Sequence, residues 1–131
     1  MRTGPPIRLL LVDGRPWTLR GLRMWLAEQP DLVVVGETRD GTEIGALVVE
    51  LRPDVVLMDV ELVHGCSLAA TGAVHAVRAE LPVVLLGLRD DVETATRART
   101  AGAAALVAKH ELDPLLRTIR TVVVPASSCG S

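Results

Sequence analysis

Apolar positions fall along the chain in two alternating rhythms. Short, nearly unbroken runs of β-branched and leucine residues occur at "IRLLLVD" (Ile7 to Asp13), "LVVVGE" (Leu32 to Glu37), "DVVLMDV" (Asp54 to Val60), "PVVLLGL" (Pro82 to Leu88) and the weaker "AALVAK" (Ala104 to Lys109). Runs of this length and character suit parallel strands covered on both faces. Between them the spacing becomes helical. Leu19, Leu22, Trp25 and Leu26 share one face, as do Ile44, Leu47, Val48 and Leu51. A last helix carries Leu112, Leu115, Leu116, Ile119, Val122 and Val123 in one stripe, with Asp113 expected as its N-cap and Pro114 as its first helical residue. A third helix (about 68–80) and a fourth (about 92–101, closed by Gly102) are Ala-rich and less sharply patterned.

Five strand-then-helix pairs without an internal repeat imply right-handed crossovers and a doubly wound α/β fold. The expected architecture is a three-layer (βα)5 sandwich with a parallel sheet in the flavodoxin-like order 2-1-3-4-5. Ligands on such sheets bind outside the carboxyl ends of the strands, which places the site before any motif is invoked. Trp17 and Trp25 are the only aromatic residues, so Val, Leu, Ile and Ala must build the core, with Trp25 expected inside and Trp17 partly exposed.

At 131 residues the chain fits one domain. Fourteen basic and sixteen acidic residues leave a net charge of −2 with no basic block, which disfavours direct nucleic-acid binding and an anionic membrane surface. Cys66 and Cys129 lack the spacing of a zinc or redox pair, and no apolar run approaches a membrane span, so a soluble cytoplasmic protein with free thiols is expected. The first strand runs into "DGRPWT", which is neither a G-x-G-x-x-G dinucleotide loop nor a Ser/Thr-rich flavin loop. Ser67 has no placed base, so catalysis is not expected.

Four residues converge at expected strand ends: Asp13, Asp59, Gly87 and Lys109. Two carboxylates on one apolar rim repel unless a cation intervenes, and Lys109, a hard divalent ion, or a guanidinium from Arg15 or Arg89 can supply it. Either aspartate alone reads as a loop cap, and either arginine alone as a solvated side chain. His64 and Cys66 are too few for a transition-metal site, and His75 and His110 read as ordinary helix-face and loop residues.

These residues, with "IRLLLVDGRPWTLRGLRMWLAEQPDLVVVGETRDG", "LRPDVVLMDV" and "AGAAALVAK", resemble the CheY-like receiver domains of bacterial two-component response regulators, particularly the NarL/LuxR type. The resemblance implies that Asp59 accepts a phosphoryl group from a histidine kinase, with Mg²⁺ held by Asp59, Asp13 and the backbone carbonyl of Glu61. It also exposes departures. Gly14 stands where a second acid is usual, Gly87 where a hydroxyl grips the phosphoryl group, and Leu106 where an aromatic or His residue swings inward; Lys109 is kept. The loop "VELVHGC" lacks the usual Pro-Gly pair. Weak Mg²⁺ binding and impaired or absent phosphorylation of an atypical receiver follow.

The expected organisation is a tail at 1–6, a receiver domain at 7–124 and a C-terminal tail or truncated linker at 125–131, with no DNA-binding domain in this chain. Three readings stay open: action by protein contacts, as a homodimer or with an effector domain or partner protein; conventional phosphorylation of Asp59; and sensing of a small molecule in place of phosphate. The sequence does not choose the dimer face, the cognate kinase or the pathway.

Overall fold

A computed structural model of the protein describes residues 4–61, 67–87, 92–109 and 111–123. Strands β1 (Ile7–Val12), β2 (Leu32–Thr38), β3 (Val55–Asp59), β4 (Val83–Gly87) and β5 (Ala105–Ala108) form one parallel sheet in the order β2-β1-β3-β4-β5. Helices α1 (Pro16–Leu26), α2 (Ile44–Leu51), α3 (Ser67–Val77), α4 (Val92–Thr100) and α5 (Leu112–Val122) follow the strands in turn. This is the doubly wound fold that the alternating pattern implies, because each crossover must carry the chain back across the sheet to start the next parallel strand.

Side chains alternate across each strand and separate the core into two layers. Ile7, Leu9 and Leu11 of β1 join Leu57, Leu86, Leu19, Leu26, Leu115 and Ile119 on the α1/α5 face. Leu10 and Val12 join Val56, Met58, Val83, Leu85, Ile44, Val48 and Val74 on the face covered by α2, α3 and α4. Every residue of β3 and β4 is buried, which is why those runs carry no polar alternation, whereas the edge strands β2 and β5 are only partly covered. The partial cover of β5 also accounts for its weaker apolar signal. Trp25 packs against the α1/α5 layer while remaining partly exposed, and Trp17 stands 72% exposed.

Two expected boundaries need correction. Asp113 and Pro114 do not open α5; the helix begins at Leu112, with Glu111 preceding it and making no side-chain cap bond. Pro114 therefore sits third in the helix, where a missing N–H is harmless because first-turn amides have no partner within the helix. The Leu115 amide, bonding back to the Glu111 carbonyl, makes the first regular helical link. The third helix stops at Val77 rather than near residue 80, since the Leu81 amide turns back onto the Arg78 carbonyl to start the approach to β4. The fourth ends as expected. Gly102 has φ +98, its amide bonds to the Arg99 carbonyl, and the Ala103 amide reaches back to the Ala98 carbonyl.

The β1–β2 pairing shifts register between Leu9 and Leu10, so that Val34 and Gly36 face consecutive β1 residues and Val35 is the extra one. At Gly36 a side chain would collide with the Leu51 Cδ1 methyl. Gly36→Val is expected to destabilise the fold by about 1–3 kcal/mol through overpacking. In urea unfolding, Leu51→Ala in the same chain should recover part of that loss; strict additivity would show that the two positions do not meet.

Candidate functional site

Topology brings the carboxyl ends of β1, β3, β4 and β5 together at one rim, and the polar residues of the site are attached to those ends. Asp13 follows β1 directly and Asp59 is the last residue of β3. Both are 2% exposed, so each carboxylate must find donors within the protein. Lys109 follows β5, where its amide donates to the Gly87 carbonyl at 2.9 Å. That bond fixes its backbone beside the end of β4. Its Nζ then donates to Asp13 Oδ2 and to Asp59 Oδ2, at 2.9 Å in each case.

The remaining carboxylate oxygens are also engaged. Asp13 Oδ1 accepts the Arg15 amide at 2.9 Å, and Asp59 Oδ1 accepts the Glu61 amide at 3.0 Å. Each aspartate thus closes a two-residue turn on itself, the local habit of Asp after a strand. The first of these turns has a further result. Because Arg15 is folded back toward Asp13 and Pro16 begins α1 at once, the guanidinium emerges at the rim and Nη1 donates to Asp59 Oδ2 at 3.2 Å. Two carboxylates and two cations make a locally neutral cluster, with the Lys109 side chain 13% and that of Arg15 37% exposed.

The residues expected to depart from a phosphorylation switch lie at this rim or beside it. Gly14 is buried between Asp13 and Arg15, and its carbonyl accepts Arg39 Nε at 3.1 Å. Gly87, buried at the end of β4, pairs with Ala108 and presents no side chain toward the aspartates. Leu106 is partly buried in the layer beneath α4 and lines a groove with Ala95, Ala98 and Arg99. Glu61 is exposed and meets Asp59 through its backbone amide. Arg89, His64, Cys66, His110 and Cys129 lie outside the described residues. His75 bonds through Nε2 to the Leu81 carbonyl and packs its ring where a Gly102 side chain would be, which accounts for it structurally.

Sequence reasoning did not single out Arg39. It follows β2, and only the β2-β1 pairing places the end of that strand against the Gly14 loop. The general rule that neighbouring strand ends share a rim was the available signal.

Receiver domains commonly bind Mg²⁺ at this rim. As arranged here, the donor set offers that ion two carboxylates, both already engaged by cations of the chain. Among the described residues no group of three or more His, Cys, Asp or Glu side chains is placed to hold a metal. All four oxygens of Asp13 and Asp59 already accept hydrogen bonds, and Gly14 supplies no third carboxylate. Magnesium needs near-octahedral oxygen coordination, of which these two carboxylates supply only part, and Asp59 Oδ2 already accepts from both Arg15 and Lys109.

Removing one partner from a buried charge cluster leaves the other uncompensated. Lys109→Met is therefore expected to destabilise the fold by about 3–5 kcal/mol in urea unfolding. Arg15→Gln should cost no more than about 1 kcal/mol, because that pair reaches solvent. Equal costs would show that the two cations do not divide the work in this way.

Comparison with known proteins agrees with the sheet. The response regulator receiver domain model matches residues 9–120. A protein-glutamate methylesterase/protein-glutamine glutaminase of Methanospirillum hungatei is 34% identical over 106 residues, covering 79% of this chain and 30% of that protein. The transcriptional regulatory protein LiaR of Bacillus subtilis is 34% identical over 103 residues, covering 79% of this chain and 49% of that protein. The chain thus spans half or less of these relatives' length. Among solved structures, a LuxR-family two-component response regulator from Aurantimonas superposes with a TM-score of 0.84 at 27% identity, over 90% of this chain and 85% of that one. A CheY-like sheet, a matching family model over most of the chain and regulators of this identity lead to one conclusion: the chain belongs to the response regulator receiver domains of two-component systems.

Proposed function

We propose that this receiver domain signals without a cycle of aspartyl phosphorylation, holding one conformation through its rim cluster and acting by protein contacts. The observation that carries the reading is the Arg15 guanidinium on Asp59 Oδ2, in a site that also has glycine at 14 and 87. In a phosphorylated receiver the acceptor oxygen must be free to attack, a cation must neutralise the transferred group, and a hydroxyl must grip it. Here Asp59 Oδ2 accepts from both Lys109 and Arg15, the cation is tethered to the chain, and position 87 offers no hydroxyl. On this reading any Mg²⁺ binding at Asp13, Asp59 and the Glu61 carbonyl is weak, and Leu106, packed against the α2/α3/α4 layer, has no aromatic or imidazole ring to swing inward.

On this reading the receiver domain spans residues 7–124, around the 9–120 that the family model matches. Response regulators engage kinases and effector domains and often dimerise. For this chain the proposed partners are a second copy, or an effector domain or partner protein in transcription regulation. It is not itself an enzyme, does not contact nucleic acid directly and works in the cytoplasm. Among the described residues no helix is long and apolar enough to cross a membrane. A second reading, conventional phosphorylation of Asp59 by a histidine kinase, is favoured by one observation. Lys109 bridges Asp13 and Asp59, the arrangement a phospho-acceptor site would also need.

Intact-mass analysis after incubation with acetyl phosphate and Mg²⁺, with Asp59→Asn as control, separates the two. No Asp59-dependent adduct is expected from the native protein, and a stoichiometric one would overturn the proposal. Gly14→Asp combined with Arg15→Gln restores a carboxylate and removes the tethered cation, and should raise both Mg²⁺ affinity and the modified fraction.

A further inference from the structure

Beside the rim, α1 and the end of β2 enclose a groove of about 330 Å³ lined by Pro16, Leu19, Arg20, Arg23, Glu37 and Arg39, with Thr38 at its base. The whole chain carries a net charge of −2, yet this groove presents three arginines and a single carboxylate. That carboxylate is already used: Glu37 Oε1 accepts Arg23 Nη1 at 3.0 Å. Arg39 is held by its Nε on the neutral Gly14 carbonyl, which orients the guanidinium while leaving both terminal amino groups without a carboxylate. Among the described residues neither Arg20 nor Arg39 forms an ion pair. The groove thus combines one oriented guanidinium, one unpaired guanidinium on the facing helix, and an apolar wall of Pro16 and Leu19.

We infer that this groove is a binding site for a small phosphomonoester. Guanidinium groups pair with phosphate in a planar, two-bond geometry that a point charge cannot reproduce, and Arg20 and Arg39 both line this groove. The volume accommodates a metabolite-sized ligand and lies at the low end for small-molecule sites. Pro16 and Leu19 offer contact to a sugar or aliphatic portion. The positive end of α1 opens beside Pro16 and adds to the potential without being its main source. The assignment stands apart from the reading of Asp59: the groove shares no side chain with the cluster, although Arg39 rests on the loop that presents Arg15.

Heteronuclear NMR titration of the full chain with inorganic phosphate, ribose 5-phosphate and a phosphoserine tetrapeptide tests it, with sodium sulfate at matched ionic strength as reference. Saturable binding of ribose 5-phosphate with a Kd of about 1 mM or tighter is expected. Amide shifts should concentrate at residues 14–20 and 37–39. Arg20→Gln with Arg39→Gln should weaken binding by about tenfold or more, whereas Arg97→Gln with Arg99→Gln on α4 should leave it unchanged. Thermal unfolding of each variant confirms that the fold is intact. Non-saturating shifts, equal loss in both double variants, or binding of sulfate as tight as ribose 5-phosphate would overturn the site. Preference for the peptide would overturn the small-molecule assignment. Phosphorylation of Asp59 alongside saturable binding would remove the earlier proposal and leave this one standing.

Discussion

Two carboxylates held almost out of solvent at the mouth of a parallel sheet are the constraint around which this domain is arranged. Asp13 and Asp59 are placed there by strands whose neighbouring residues are buried and apolar, so neither can retreat or hydrate without disrupting β1 or β3. Like charges so placed raise the free energy of the folded state unless opposite charge is brought to them. Lys109 meets that demand from the far end of the sheet, 96 residues along the chain from Asp13. A contact between the ends of β1, β3 and β5 therefore ties together strands that are not all adjacent, and it can form only when the sheet order is correct. The ion pair is better understood as a check on topology than as a large source of stability, since buried pairs repay their desolvation only when fully hydrogen-bonded.

Much of this was legible in the chain because burial on both faces forces a simple code. Strands β3 and β4, and β1 from Leu9 on, read as apolar runs, and an acid at the end of such a run has few explanations. Asp13, Asp59 and Lys109 were accordingly found from position alone. Arg15 was harder, because a loop arginine is ordinarily solvated and no pattern of residue types reports the direction of a flexible side chain. What directs it is a local turn, the Asp13 carboxylate accepting the Arg15 amide, followed immediately by proline. Arg39 was illegible for a different reason. Its partner is a backbone carbonyl, which leaves no trace in residue identity. At α5 the pairing of Asp113 with Pro114 imitated a helix start, and the helix began earlier because a first turn tolerates proline at any of its unpaired amides.

The groove face and the rim are built from the same short connection. Gly14 contributes its carbonyl to Arg39, Arg15 its amide to Asp13 and its guanidinium to Asp59, and Pro16 opens both α1 and the arginine-lined groove. The three residues after Asp13 thus have different neighbours within one turn of chain. Substitution at any of them changes more than one contact, so effects in this loop should be measured in pairs rather than singly.

A cation that belongs to the chain, as the Arg15 guanidinium on Asp59 does, follows a different logic from a bound metal. A bound divalent ion is exchangeable: its occupancy follows its concentration, and its charge is available to a transferred group only while it is there. A guanidinium on the chain is present at fixed, high local concentration and spends its directional donors on the carboxylate it faces. It neutralises Asp59 constitutively where a metal would do so conditionally. On the proposed reading, the same geometry that relieves repulsion between the two aspartates also occupies the oxygen on which conditional chemistry would depend. A fold with these two properties, on that proposed reading, keeps its shape and its surfaces without depending on a phosphate donor, and conditional input enters elsewhere on the domain.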